Sequence, residues 1–254
     1  MKISALIVAF FIGNLLYAQQ IQKFNSDENS VATYQKVASD SLNKPPKFNK
    51  EPKFMVNFSA GPSIRTGSTP KGLNSEQSNY IKDLKSGSSY DISAYYLKDE
   101  KSGFGLKYNV YKSSGSLANQ DLTAPNGDTG NGTASDDITI TFIGAAGIIY
   151  GKGFFALDNV GFEMALGYIG YVDKAVILDN YTIKGGNLGI STTLGYQFGI
   201  TKNIAIGPSI SFTGGVLNQI KVEGDNYSET IKFEENEKES LYRFDFSLCA
   251  SFKF

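Results

Sequence analysis

Histidine and tryptophan are absent from this sequence, and cysteine occurs once, at Cys249. Without histidine there is no Ser-His-Asp or Cys-His triad and no His-ligated zinc site. A single cysteine excludes an intrachain disulfide and a thiolate metal cluster. A formal net charge of -1 over 254 residues leaves no basic excess for nucleic acid or another polyanion. Long apolar runs are also missing. Beyond the first residues nothing approaches the roughly 18 apolar positions of a membrane helix. A chain of this kind can cross a bilayer only as a closed barrel. The composition therefore predicts a non-enzyme with no cofactor and no metal.

The sequence is rich in aromatics and glycine, with 18 Phe, 15 Tyr and 27 Gly. Residues 241–254, LYRFDFSLCASFKF, show how the aromatics are used. Tyr242, Phe244, Phe246, Leu248, Ala250, Phe252 and Phe254 alternate with Arg243, Asp245, Ser247, Cys249, Ser251 and Lys253. Side chains alternate across a strand, so one face is apolar and the other polar. A lipid-facing strand accounts for the apolar face and for an alternation that runs to an aromatic Phe254.

Residues 1–18 read as a secretory signal peptide: Lys2 is the positive end, 3–16 the apolar core, and Leu16-Tyr17-Ala18 the cleavage site. Residues 19–53 are polar and mixed, with a possible short helix over 27–42 ended by Pro45-Pro46, and read as a periplasmic linker. Within the linker, Asp40-Ser41-Leu42 matches a three-residue O-glycosylation signal.

Residues 54–254 form a series of eight alternating runs, at 54–64, 89–97, 104–111, 137–150, 160–168, 188–200, 204–212 and 241–254. In the fourth run, Ile138, Ile140, Phe142, Ile148 and Tyr150 are assigned to the apolar, lipid-facing side. The connections alternate strictly: long at 65–88, 112–136, 172–187 and 213–240, short at 98–103, 151–159 and 201–203. That pattern predicts an all-β fold, an eight-stranded antiparallel up-and-down transmembrane β-barrel. A secreted lipocalin-type barrel would share the periodicity with its large residues turned inward. The small residues on the polar face, such as Gly189, Ser191, Thr193, Gly195 and Gly199, favour a narrow lumen over a solvated surface.

Two features carry a resemblance. Gly61-Pro62-Ser63-Ile64 recurs as Gly207-Pro208-Ser209-Ile210, and the last strand places Phe252 and Phe254 after polar Ser247. Over 54–254 the chain resembles the outer-membrane β-barrel domain family that includes PorT-type proteins, and more loosely the small OmpA/OmpX-type barrels. The resemblance implies a Gram-negative outer-membrane location and marks Phe252 and Phe254 as a signal for the barrel-assembly machinery. In that location the barrel would contact outer-membrane lipid, and the acidic loop over 213–240 could bridge to lipopolysaccharide through divalent cations or engage a basic partner. Cys249 stands where that signal usually has glycine, and the family's members share no single activity.

Charge facing lipid at mid-depth costs about 2–4 kcal/mol for Arg or Lys. Asp91, Lys107, Glu163, Arg243 and Asp245 are therefore assigned to the lumen, where they should pair in a network that plugs the barrel. The function expected is structural or interactive: adhesion, envelope integrity or a part in a secretion apparatus. The alternative is a narrow pore or conduit for small molecules. Residues 126–132, followed by Asp136-Asp137, offer oxygens for calcium but lack the spacing of a defined calcium loop, and read as a solvated surface loop. The glycines of 151–156 formally match a relaxed dinucleotide fingerprint but lie in a turn that no helix follows. The last long loop is acidic, and its apolar residues Ile220, Val222, Ile231 and Phe233 predict strands seven and eight continuing above the membrane.

Overall fold

The structure, a computed structural model, describes residues 53–67, 72–225, 227–234 and 238–254. The signal peptide, the possible linker helix and Asp40-Ser41-Leu42 lie outside them.

Eight strands close on themselves: β1 (Phe54–Arg65), β2 (Ser86–Leu97), β3 (Ser102–Thr123), β4 (Thr129–Lys152), β5 (Asn159–Ile177), β6 (Asp179–Gly199), β7 (Ile204–Leu217) and β11 (Arg243–Lys253). Each pairs antiparallel with the next, and β11 pairs with β1 from Met55↔Lys253 to Arg65↔Arg243. The final residue is tied into this seam. The Lys53 amide donates to the Phe254 carbonyl at 2.7 Å, and the Phe254 amide donates to the Phe54 carbonyl at 2.8 Å. Both Gly-Pro repeats lie on neighbours of β11. Pro62 is in β1 and Pro208 in β7, where it faces Leu248. Each proline removes one ladder donor. At Gly61 an added Cβ would come 2.0 Å from the Phe246 carbonyl oxygen, so only glycine allows β1 and β11 to close this tightly there.

The outside of the barrel is apolar in a band. Phe104, Leu106 and Tyr108 on β3, Ile143 and Ile149 on β4, and Leu166 and Tyr168 on β5 all face outward and are exposed. Above the band the outward residues turn charged: Lys112, Asp137, Lys174 and Lys184. Asp137 and Lys174 are register partners, which sets one level of this boundary. Aromatic clusters mark the other rim, where the Tyr96 ring lies 5.6 Å from both Phe54 and Phe104.

Two expectations need correction. The fourth run faces the opposite way to its assignment: Ile138, Ile140, Phe142, Ile148 and Tyr150 are all buried inside the barrel. This strand is apolar on both sides, so alternation cannot choose. Pairing chooses, because Tyr111↔Ile140 and Lys107↔Gly144 put the even-numbered β4 residues on the inner face with Lys107. The long connections at 112–136 and 172–187 are mostly strand. β3 has 22 residues and β4 has 24, joined by a turn around Gly127 (φ 95°). At about 3.3 Å per residue, 22 residues span roughly 70 Å, far more than the ~25 Å apolar band needs even when tilted. The surplus stands beyond the band as a raised sheet. Asn126 and Asp128 lie in its tip, whereas Asp136 and Asp137 belong to β4. β5 and β6 turn back at Leu178 (φ 65°) and add two strands to this sheet. The continuation of β7 is a hairpin, β8 (Gln219–Gly224) with β9 (Tyr227–Lys232), whose first strand pairs with β6. β10 (Glu239–Ser240) returns along β7 before β11 begins.

One helix is present among the described residues, α1 (Ser75–Lys85), in the connection between β1 and β2. It is capped by Asn74, whose side chain accepts from the Gln77 amide at 2.8 Å while the Gln77 side chain accepts from the Asn74 amide at 3.2 Å.

Candidate functional site

All five charges assigned to the lumen are on the inner face, in two clusters. In the first, Lys107 on β3 faces Ser93 on β2 and has Gly144, which offers no side chain, beside it on β4. Its ammonium lies 2.5 Å from a Glu163 carboxylate oxygen and 2.9 Å from Asp91 Oδ2, and donates to Thr193 Oγ1 at 3.0 Å. Glu163 also accepts from the Tyr95 hydroxyl, from Ser93 at 3.3 Å and from Thr193 at 3.2 Å. One lysine thus sits between two carboxylates, and three hydroxyl donors share the excess negative charge.

The second cluster is nearer the rim that carries the raised sheet. Arg243 Nε lies 3.3 Å from Asp245 Oδ1, and the same oxygen accepts from Ser63, its register partner across the β1 seam, at 2.5 Å. Arg243 Nη2 donates to Asn109, which passes the chain on to Ser89 at 3.0 Å. The guanidinium lies over the Tyr111 ring, 5.6 Å from its centroid. Arg243 is 0% exposed and Lys107 2%, so each charge depends on these partners alone for what water would supply.

Around the clusters further side chains point into the lumen. Between Lys107, Glu163, Gln197 and Cys249 a cavity of about 30 Å³ remains, room for about two waters. Toward the rim of the raised sheet the side chains are apolar: Ile138, Ile140, Phe142, Ile169, Leu217 and Leu241. The C-terminal turn of α1 closes over it, its Leu84 carbonyl accepting from Ser113 at 2.8 Å and from Tyr111 at 3.2 Å. At the opposite end the Tyr150 hydroxyl meets Met55 Sδ at 3.2 Å, and the Lys253 ammonium lies over the Tyr150 ring.

Residues of this site that sequence reasoning missed include Tyr95, Ser93, Ser63, Asn109 and Tyr111, whereas Thr193 was already on the polar face. Tyr95 was legible: the alternation Asp91, Ser93, Tyr95 continues the polar face, and only its aromatic character hid it. The partners on distant strands have no linear signal, because register alone brings them together. Phe252 and Phe254, assigned to an assembly signal, are at the rim opposite the raised sheet. Phe252 meets Phe58 edge to face, with centroids 6.3 Å apart, and Phe254 is 68% exposed.

A separate carboxylate pair lies beyond the apolar band, level with Asp137 and Lys174. Asp173 is buried and accepts from the Tyr171 hydroxyl at 3.1 Å. Burial, with the like charge of Asp173 next to it, raises Asp136 to about 7. Burial also raises Asp173. No group of three or more potential metal ligands occurs among the described residues.

No protein-family model matches the chain, and neither does any curated protein. Solved structures do. A major outer membrane protein from Thermus thermophilus is 12% identical, with 80% of this chain and 98% of that one covered and a TM-score of 0.50. Neisserial surface protein A is 16% identical over 79% of this chain and 97% of its own, with a TM-score of 0.45. Outer membrane protease OmpT from Escherichia coli is 10% identical over 81% and 98%, with a TM-score of 0.43. At such identities the likeness concerns the fold alone, a closed antiparallel barrel.

Proposed function

We propose that this chain is an integral outer-membrane protein whose plugged barrel anchors a raised, surface-exposed sheet, and that its role is structural or interactive rather than catalytic. The observation that carries the reading is the pairing of an apolar outer band with a filled lumen. Lys107, Arg243 and their partners occupy the space a channel would need. The missing histidine supports the non-catalytic part, since the common nucleophile and zinc chemistries lack their base or ligand. The raised sheet supports the interactive part: strands that continue past the membrane build a surface that anchoring alone does not require. Adhesion, envelope integrity and a place in a secretion apparatus are all consistent with a rigid displayed surface. In the alternative, a narrow conduit, the buried ion pairs would be a gate; the two ion clusters and a cavity of only about 30 Å³ beside Lys107 favour the plug.

Cysteine labelling of whole cells tests the arrangement, because the sole cysteine, Cys249, is buried. Ser228→Cys in β9 should react with a membrane-impermeant maleimide on intact cells, and Asp99→Cys in the β2–β3 turn should react only after lysis. Equal labelling of both on intact cells, or recovery of the protein in a soluble fraction, would contradict the proposal.

A further inference from the structure

The barrel has no free edge, but the raised sheet has two: the upper part of β3, which beyond Lys112 pairs only with β4, and β9. Sheet order ends at β9, which pairs with β8 and with nothing else among the described residues. Five of its six residues are exposed. The strand is nevertheless held rigidly. Tyr227 meets Tyr181 edge to face with centroids 6.2 Å apart. Val222 of β8 is buried with Tyr181, Ala175 and Ala124. Glu223 of β8 pairs with Lys184 of β6 at 2.8 Å and with Lys221 at 2.6 Å.

The direction of the free hydrogen-bonding groups follows from the ladder. The Phe233 amide donates to the Asn218 carbonyl at 2.9 Å. In an antiparallel pair such bonded positions recur at every second residue, so Ile231, Glu229 and Tyr227 turn their amides toward β8. Ser228, Thr230 and Lys232 therefore offer N–H and C=O groups to the open side. Native edges of this kind are blunted by shortness, charged side chains, proline, a bulge or a covering element, and of these β9 has its short length and the charges of Glu229 and Lys232. β9 has no proline, and its pairing with β8 runs without a register shift.

We infer that β9 is a docking edge that accepts an extended, basic peptide segment of a partner as an added antiparallel or parallel strand. This rests on the reading of the barrel as an anchor with this rim outside. Charge selects the partner: along and beside the open edge Asp225, Glu229 and Glu234 outnumber Lys232, while Glu223 is already held by Lys184 and Lys221. A second copy of this chain would bring the same acidic segment against itself, and like charges directly opposite destabilise a sheet pair. A basic strand places lysine or arginine near Glu229 and covers Ile231, which is 39% exposed. Main-chain bonds then supply affinity, and alternate side chains supply selection.

The test uses the full chain folded in zwitterionic detergent, with the barrel verified by its unboiled gel shift. The probe is a fluorescent, end-capped peptide of alternating Lys and Val, read by anisotropy against a Glu–Val peptide and a Lys–Val peptide N-methylated at alternate amides. The expected result is at least tenfold tighter binding of the unmodified Lys–Val peptide than of either control. Thr230→Pro removes one open-side donor while sparing the β8 ladder, and should weaken binding about tenfold. Glu229→Lys, at an exposed position, should reverse the preference between Lys–Val and Glu–Val. Equal binding of methylated and unmethylated peptides, or binding indifferent to both substitutions, would overturn the proposal. So would self-association without peptide binding, which would assign the edge to a second copy. None of these results depends on whether the lumen conducts.

Discussion

At the scale of single residues, the account turns on Lys107. Its ammonium holds two buried carboxylates in a space that water hardly enters. Removing one partner of a buried ion pair costs about 3–5 kcal/mol, because it leaves uncompensated charge. Lys107→Ala should therefore lower the urea resistance of the folded barrel in lipid vesicles by about that amount. Glu163→Gln, which keeps a lysine and one carboxylate paired, should cost distinctly less. Equal losses would mean that the cluster does not act through charge. Asp136 gives a second residue-scale prediction. Its folded value, raised to about 7, lies above the ordinary carboxylate value of 3.8. Between the two the folded state holds a proton that the unfolded state has lost, so stability falls as pH rises through this window. Arg65 and Tyr171 face the Asp136–Asp173 pair and take part in the same electrostatics. Amide exchange in the upper parts of β4 and β5 should quicken from about pH 4 to about pH 7 after correction for intrinsic rates, and Asp136→Asn should flatten that trend.

At the scale of elements, β11 shows what alternation can and cannot tell. Its face assignment was legible because every second residue is apolar and the others polar. β4 was not, because Ile143 and Ile149 face out while Ile140 and Ile148 face in, and period two vanishes when both faces are apolar. The upper halves of β3 to β6 read as loops for the opposite reason. Ser113 and Ser114 on β3, and Asp136 and Asp137 on β4, put polar side chains on both faces, since no lipid demands otherwise outside the band. α1 is polar nearly all round and has no buried residue, so only its capping box, Asn74 to Gln77, could have announced it. The terminal strand carries its own prediction. Phe252 packs on Phe58, and Phe254 closes the backbone seam to β1. Phe252→Asp, or deletion of Phe254, should leave export intact and reduce assembled, heat-shifting barrel in the outer-membrane fraction at least severalfold. Normal assembly of either variant would remove the signal role from these residues.

At the scale of the whole molecule, the pieces are a membrane-height cylinder and a taller sheet carried on part of its rim. Burial orders the cylinder from both sides. Outside lies the apolar band; inside, the two ion clusters sit below an apolar layer that α1 covers. Strand number and closure were legible because eight is the number of alternating runs and their connections alternate in length. That the lumen is partly apolar was not legible, because it depends on β4's register. The claim on which the account rests is that the barrel anchors and does not conduct. Planar bilayers containing the purified, folded chain test it most directly. The account predicts a baseline with no resolved single-channel steps in molar potassium chloride for the native protein, because the Lys107 and Arg243 clusters stand in the path and the cavity beside Lys107 measures only about 30 Å³. Sizeable, regular steps from the native chain, diminished by filling the cavity with Gly195→Phe, would contradict it and make the lumen a pore.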